Sequence, residues 1–414
     1  MNILFLTQFY WPEIRTAPLN LAALAEDLAA RGHRVTVITA VPSHPFGRVY
    51  EGYRMKLHQW EEVRGVQVLR LPLFPDHSLS SFKRALNYSS FALSAALLGR
   101  FCTRKIAADV IFSYLPPLTI GFPAALLSRS KGAPIVYWMT DLWPENLVAA
   151  GAKISPRMYK RIRRLEDWVY RKSTTICVNS PGYITNLKEK GVDPSKIKLL
   201  TDWADEKLFF SAPYEKPLAE ELGLAGKFNI LYGGNLGKVQ GLDVVIEAAR
   251  LIEDTPDLQF VFIGDGTESE RLKKLAAGYR LKNVLFIPRV PPEEIHRYFA
   301  LADVLLAHLE NKPVFKMQIP SKIIAYMACG KPVLCGIAGE SAKIVQDARG
   351  GNSFVPQDAR SLAEQARIFY NMPREELEQM GQRGREAYLA GYTRHIQVER
   401  IEKILQGGCG APSL

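Results

Sequence analysis

The sequence predicts an α/β protein of two Rossmann-like, doubly wound domains facing a cleft. Three observations predict it. Short apolar strands alternate with helical patterns from the first residues; the series stops at a polar, Pro-containing stretch; and it then restarts with the same architecture but no repeated sequence. In such domains ligands bind beyond the carboxyl ends of the strands.

The first strand is read from "NILFL" within "MNILFLTQFYWPE", which has neither a basic leader nor a long apolar core and so reads as a strand, not a signal peptide. A helix follows, with Leu21, Leu24, Ala25 and Leu28 on one face and a stop at Gly32. "RVTVIT", "VQVLRL", "DVIFS", "PIVYW" and "TTICV" continue the parallel set. Residues 87–101, "NYSSFALSAALLGRF", are too short to span a bilayer and end in Arg100; they read as a buried helix, with a membrane-inserted helix as the alternative. Residues 153–172 hold eight basic and two acidic residues, with Met158, Ile162, Leu165 and Val169 as an apolar stripe. Such a helix can lie on anionic lipid or be a solvated face, and no helix-turn-helix, zinc finger or RNA-binding signature accompanies it, which argues against nucleic acid.

The junction is "DEKLFFSAPYEKPLAEELG". Beyond it "FNILY", "QFVFI", "VLFI", "VLLA" and "KPVL" form the second series. The stretch "ILYGGNLGKVQGLDVVIEAA" breaks its strand on Gly233 and Gly234, turns through Gly237, and is expected to start a helix at Gly241, with Leu242, Val245, Ile246 and Ala249 facing inward. Glycines let backbone N–H groups approach a ligand closely, and a helix start aims its positive end at an anion. The spacing is not that of a P-loop, and a tight turn without a ligand is the competing reading. In "IPSKIIAYMACGKPVL", Pro320 and Ser321 open a second helix with Lys322 in its first turn. Two helix starts with Lys238, Arg289 and Lys322 outline a diphosphate site.

Composition fits a globular chain of two domains: 414 residues, 47% hydrophobic, 23% charged and a net charge of +11. Cys102, Cys177, Cys329, Cys335 and Cys409 show no CxxC or metal-ligand spacing, and a reduced cytoplasm fits them best. The histidines, His44 and His58 among them, form no spaced ligand set, and the chain contains no DxD motif.

The chain resembles glycosyltransferase family four, retaining enzymes of the GT-B fold, and especially the bacterial colanic acid and O-antigen transferases. The likeness is carried by the segment from "TQFYWPEIRTAPLNLAALAEDLAARGHRVTVITAVPSHPFGRVYEGYR" through "YWMTDLWPENLVAAG", "VNSPGYITNLKEKGV", "GGNLGKVQGLDVVIEAA", "FIGDGTESERL", "ADVLLAHL" and "PSKIIAYMACGKPVL". It implies an N-terminal acceptor-binding domain over 1–205 and a C-terminal nucleotide-sugar domain over 206–391, with a last helix, about 392–406, for which packing back on the first domain is one option. By position, Gly234, Asn235, Lys238 and Gln240 match the donor-phosphate loop. Arg289 and Val290 match a segment that meets the base, and Ser321 and Lys322 the helix start beside the diphosphate and ribose. Asp141 and Glu145 fall in the segment lining the reacting sugar, with Glu13 and Arg15 in the first loop near the acceptor and phosphates.

Two departures are visible. Many members carry Arg and Lys where this chain has Asn235 and Gln240, and the two glutamates of a Glu, seven residues, Glu pattern fall at Met317 and Ala325. The resemblance implies transfer of a sugar from a UDP-sugar to a lipid-linked saccharide. It implies no metal, since cations and helix dipoles can take up the leaving group's charge, and a cytoplasmic protein peripheral to the inner face of the membrane. A nucleotide-sugar 2-epimerase and a catalytically degenerate scaffold are the alternatives.

Overall fold

The computed structural model describes residues 1–13, 16–77 and 80–407. The chain forms two compact units, one of Met1–Leu200 with the chain from Val398 onward, the other Thr201–Gln397. The division therefore falls at Leu200/Thr201 rather than at 205/206, and the first unit resumes inside the helix Arg394–Leu405.

The first unit is built on an eight-stranded sheet: β1 (Asn2–Leu6), β2 (Arg34–Ala40), β3 (Gln59–Val63), β4 (Val66–Leu71), β5 (Val110–Leu115), β6 (Ile135–Met139), β7 (Thr175–Val178) and β8 (Ile197–Leu199). Their order is β3-β4-β2-β1-β5-β6-β7-β8, and all pairs are parallel except β3 with β4. Strands β5 and β6 are buried at every position, as expected of continuous apolar runs covered by helices on both faces. The chain winds in opposite directions from β1 and β5, so the crevice beyond their carboxyl ends is the switch point. Leu21, Leu24, Ala25 and Leu28 of helix Thr16–Ala30 are all buried, and Gly32 closes it at φ +89°. Glu402 of the last helix pairs with Arg31 at 2.8 Å and His33 at 2.7 Å, fixing that helix to the turn before β2.

Two surface helices differ from expectation. Residues 87–101 lie in a helical run of Ser81–Ser94, a wide π turn Ala95–Gly99 and Arg100–Cys102, and only one of its faces is buried. The helix Pro156–Lys172 instead turns most of its apolar stripe inward, leaving Met158 exposed. Val169 is buried, Ile162 and Leu165 are half-buried, and a Cβ added to Gly121 would lie 2.5 Å from Val169 Cγ2. Strand β3 escaped the sequence pattern because "QWEEV" is an edge strand with polar, half-exposed residues.

The second unit has a six-stranded parallel sheet: β9 (Phe228–Gly233), β10 (Leu258–Ile263), β11 (Val284–Ile287), β12 (Val304–His308), β13 (Val333–Gly336) and β14 (Gly351–Ser353), ordered β11-β10-β9-β12-β13-β14. Alternating side chains serve two cores. Leu231, Val261 and Ile263 join the cluster containing the helix Ser321–Ala328, while Ile230, Tyr232, Phe260 and Phe262 face the helix Asp243–Leu251. Here the switch point lies between β9 and β12, where the glycine-rich stretch leaves the sheet.

Candidate functional site

The loop after β9 is stitched to its neighbours through backbone. Gly234 N–H donates to Ile263 O at 2.8 Å, Leu236 N–H to Asp265 O at 2.9 Å, and Glu268 N–H to Leu236 O at 2.9 Å. A Cβ on Gly264 would meet Gly234 O at 2.0 Å, so the "GDG" turn needs glycine for this approach. The turn is tied inside as well. Gln240 Oε1 accepts from Gly237 N–H at 3.1 Å and from Asn235 Nδ2 at 3.4 Å. Gln240 therefore braces the loop, a role its neutral amide fills as acceptor. The N–H of Asn235, which is exposed, makes no hydrogen bond within the described residues.

One expectation about this loop is corrected. The helix does not start at Gly241: Lys238–Gln240 form a 3₁₀ turn, Gly241 adopts φ +56°, and the helix runs over Asp243–Leu251. Its first turn carries Asp243, paired with Arg271, so this N-terminus offers no anion site. Leu242, Val245, Ile246 and Ala249 are buried, as the spacing requires.

The second helix start differs. Ser321–Ala328 begins directly after Pro320, whose carbonyl takes the N–H of Ile323 at 2.9 Å, so the helix leaves the N–H groups of Ser321 and Lys322 without an intrahelical acceptor. Four residues apart, Lys322 and Tyr326 share one face of it. The Tyr326 hydroxyl accepts from Gly233 N–H at 3.0 Å and lies 3.2 Å from Gly233 O, which keys the helix to the end of β9. Lys322 Nζ then lies 3.3 Å from the centroid of the Tyr232 ring, and a Cβ on Gly234 would come 3.2 Å from it. Among the described residues no carboxylate pairs with this ammonium, and burial holds its pKa well below the ordinary lysine value. Such a cation gains most from an incoming anion.

His308, at the end of β12, braces the same loop from behind. Its Nδ1 lies 2.7 Å from Gln240 O and its Nε2 accepts from Gln357 N–H at 3.0 Å, which assigns the proton to Nδ1. Burial pushes its pKa down to about 4, so it stays neutral. Lys238 is exposed beside the loop. Arg289 is exposed and Val290 half-buried after β11, two strands from β9; Arg289 forms no ion pair among the described residues. Thus Gly234, Asn235, Gln240 and Lys322 are brought together, while among the described residues no hydrogen bond joins Arg289 to them. Ala325 is buried in the apolar core, so no carboxylate is held at that position.

In the first unit, Glu13 is buried in the loop after β1. Its Oε1 accepts from Ser43 and His44 N–H, both at 2.9 Å, and its Oε2 has no partner among the described residues. Burial pushes its pKa up to about 7. The folded state therefore holds a proton the unfolded chain releases, and stability falls as pH rises from the ordinary carboxyl value toward 7. The drop is on the order of 3 kcal/mol. A Gln side chain can accept the same two bonds, so Glu13→Gln should remove most of this drop and be the more stable form at alkaline pH; urea unfolding across that pH range checks it. Arg15 lies outside the described residues.

Asp141 follows β6; its carboxylate accepts from Asn146 Nδ2 at 2.6 Å, and burial raises its pKa. Glu145, by contrast, is engaged with Lys190 at 2.8 Å. Lys190 also pairs with the fully buried Glu166 at 3.0 Å and reaches Trp143 O at 3.4 Å. Arg163 and the Tyr170 hydroxyl complete the shell of Glu166. Glu145 is thus an anchor of the 141–145 turn. Sequence reasoning missed Lys190, Glu166 and Tyr326; only Tyr326 carried a signal, its i+4 spacing from Lys322.

Comparison with known proteins places these units. Residues 20–203 match the family model "Glycosyl transferase 4-like domain" and residues 217–387 "Glycosyl transferases group 1". The chain is 28% identical to the "Probable glycosyltransferase WbjE" of Pseudomonas aeruginosa, over 81% of this chain and 82% of that one. It is 29% identical to the "Putative colanic acid biosynthesis glycosyl transferase WcaI" of Escherichia coli K12, over 80% and 82%. Among solved structures, Anabaena Alr3699/HepE in complex with UDP superposes with a TM-score of 0.73 at 17% identity, covering 98% of this chain and all of that one. WaaG, "a glycosyltransferase involved in lipopolysaccharide biosynthesis", superposes at 0.69 and 17% identity, again covering 98% and 100%. With both domain models matched in order across most of its length, this chain belongs to the GT-B glycosyltransferases of the family-four type, related to enzymes of polysaccharide biosynthesis.

Proposed function

We propose that the chain is a retaining hexosyl- or N-acetylhexosaminyl-transferase that moves a sugar from a UDP-sugar to a lipid-linked saccharide in bacterial exopolysaccharide or O-antigen synthesis, in the cytoplasm at the inner face of the membrane. The observation that carries the donor half is the unpaired Lys322 ammonium beside Gly234, next to the free N–H of Asn235 and the first turn of Ser321–Ala328. That UDP and UDP-glucose occupy HepE supports uracil as the base. The relation to WcaI and WaaG supports a polysaccharide acceptor.

In this reading the bond from the sugar's anomeric carbon to the diphosphate oxygen breaks as the acceptor oxygen bonds to that carbon on the same face. The acceptor proton passes to the leaving phosphate oxygen. Negative charge grows on the diphosphate, where Lys322, the Asn235 N–H and Ser321 at the helix start stabilise it. Lys238, Arg289 and Val290 border the nucleotide, while Asp141, Glu13 and Arg15 serve the sugar and acceptor.

Purified protein incubated with labelled UDP-sugars and a membrane-lipid extract tests this. Label moving to the organic phase, with the donor's anomeric configuration kept, is the expected result; conversion of the free sugar nucleotide, or no reaction, would instead favour an epimerase or a scaffold. Transfer is also expected to proceed without a divalent metal, because the chain's cations supply the counter-charge. Turnover should be unchanged by EDTA; loss in EDTA that Mg²⁺ restores would refute metal independence.

A further inference from the structure

The helical run Ser81–Cys102 shows one buried and one bare face. Asn87, Phe91, Ser94, Ala95 and Gly99 turn inward, Asn87 accepting from Gln8 Nε2 at 2.7 Å in the loop after β1. Outward point Phe82 at 77% exposure, Leu86, Leu93 at 61%, Leu97 at 62% and Phe101 at 62%. These positions lie four, seven, four and four residues apart, a single stripe along the helix. An apolar stripe of this length on a surface helix marks an interaction face.

Charge identifies what covers it. Between Asp76 and Asp109 the sequence has no Asp or Glu, while Lys83 and Arg84 stand at one end of the stripe and Arg100, Arg104 and Lys105 at the other. All five are exposed, and none forms an ion pair among the described residues. A second copy docked by two-fold symmetry would set cations against cations. An anionic bilayer satisfies both features, taking the apolar stripe among its acyl chains and the cations among its headgroups.

We infer that the run Ser81–Cys102 is the element that enters the membrane, and that Pro156–Lys172, whose apolar stripe is packed inward except for Met158, contributes chiefly charge. This deepens the lipid-linked reading by naming how the first unit meets lipid. Through Asn87 and Gln8 it sets the β1 loop that carries Glu13 close to the bilayer face.

The test compares binding of the full chain to phosphatidylglycerol/phosphatidylethanolamine vesicles at low and high salt. The parent should keep a salt-resistant bound fraction. The combined variant Leu93→Ser, Leu97→Ser, Phe101→Ser, at exposed positions where folding is not at stake, should lose roughly tenfold or more of that fraction while retaining low-salt binding. In Leu97→Trp the introduced indole should shift to the blue and be quenched by brominated lipid. Equal salt-resistant binding by the triple variant, an indole that stays water-exposed on bound protein, or a vesicle-independent dimer lost in the triple variant would each overturn the inference. Failure of the lipid-linked reading shows separately, as label transferred only to water-soluble saccharide.

Discussion

Lys322→Ala is expected to slow sugar transfer by on the order of a hundredfold or more while weakening UDP-sugar binding far less. Among the described residues the ammonium sits on the Tyr232 ring with no carboxylate partner, and the neutral Asn235 and Gln240 leave the exposed Lys238 as the charged side chain of the loop itself. The leaving diphosphate gains charge in the transition state, so a cation without a carboxylate partner matters most there. Tyr326 and Gly233 keep the helix keyed to the sheet in the variant, so its unfolding transition should match the parent's. Burial lowers the lysine's pKa in the free protein, and an arriving diphosphate raises it again. UDP binding should therefore weaken as pH rises through the lowered lysine pKa and be linked to proton uptake in that range, which calorimetry in buffers of different ionisation enthalpy reads directly. A variant that folds normally and turns over within a few-fold of the parent would remove Lys322 from the site.

Lys190→Met should destabilise the first unit by on the order of 3 kcal/mol at neutral pH, because it strips the buried Glu166 of one of its two cations. The loss has a defined pH dependence. Burial already raises the Glu166 pKa and Lys190 opposes that rise, so without the ammonium the folded pKa climbs further. Below the ordinary carboxyl value Glu166 is protonated in both states and the variant suffers least; the deficit grows as pH rises above the parent's raised folded-state pKa toward the variant's higher one. Glu145 and the Trp143 carbonyl lose their common anchor as well, so the turn holding Asp141 loosens and turnover falls. Adding Glu166→Gln should restore much of the stability but not the turnover, a coupling that urea unfolding and rate measurements on the double variant resolve.

Most strands and the glycine-rich turn were legible because their determinants are local: runs of β-branched residues, a helical stripe, glycines at a strand end. The helix start after Pro320 was legible for the same reason. What escaped was set by tertiary partners. Strand β3 is held by pairing Trp60 with Leu69 across an edge, which its own polar composition does not announce. The start of the helix after Gly241 moved to Asp243 because Gly241 takes a left-handed conformation against Glu310 and His308, residues far along the chain. The apolar residues of 81–102 and 156–172 have alike periodicity and both runs pack on the helix Gly121–Lys131, yet the first leaves a row of exposed apolar side chains while the second buries Val169 and half-buries Ile162 and Leu165, a difference set by tertiary packing. The pairing of Glu145 with Lys190, which lies 45 residues further along the chain, is likewise set by tertiary structure.

The central claim is that the diphosphate sits between Lys322, the Asn235 N–H and the first turn of Ser321–Ala328. A crystal structure of the protein with UDP tests it most directly. The account predicts a phosphate oxygen within hydrogen-bond distance of both Lys322 Nζ and the Asn235 amide; a diphosphate bound elsewhere, with the Lys322 ammonium still resting alone on the Tyr232 ring, would contradict it.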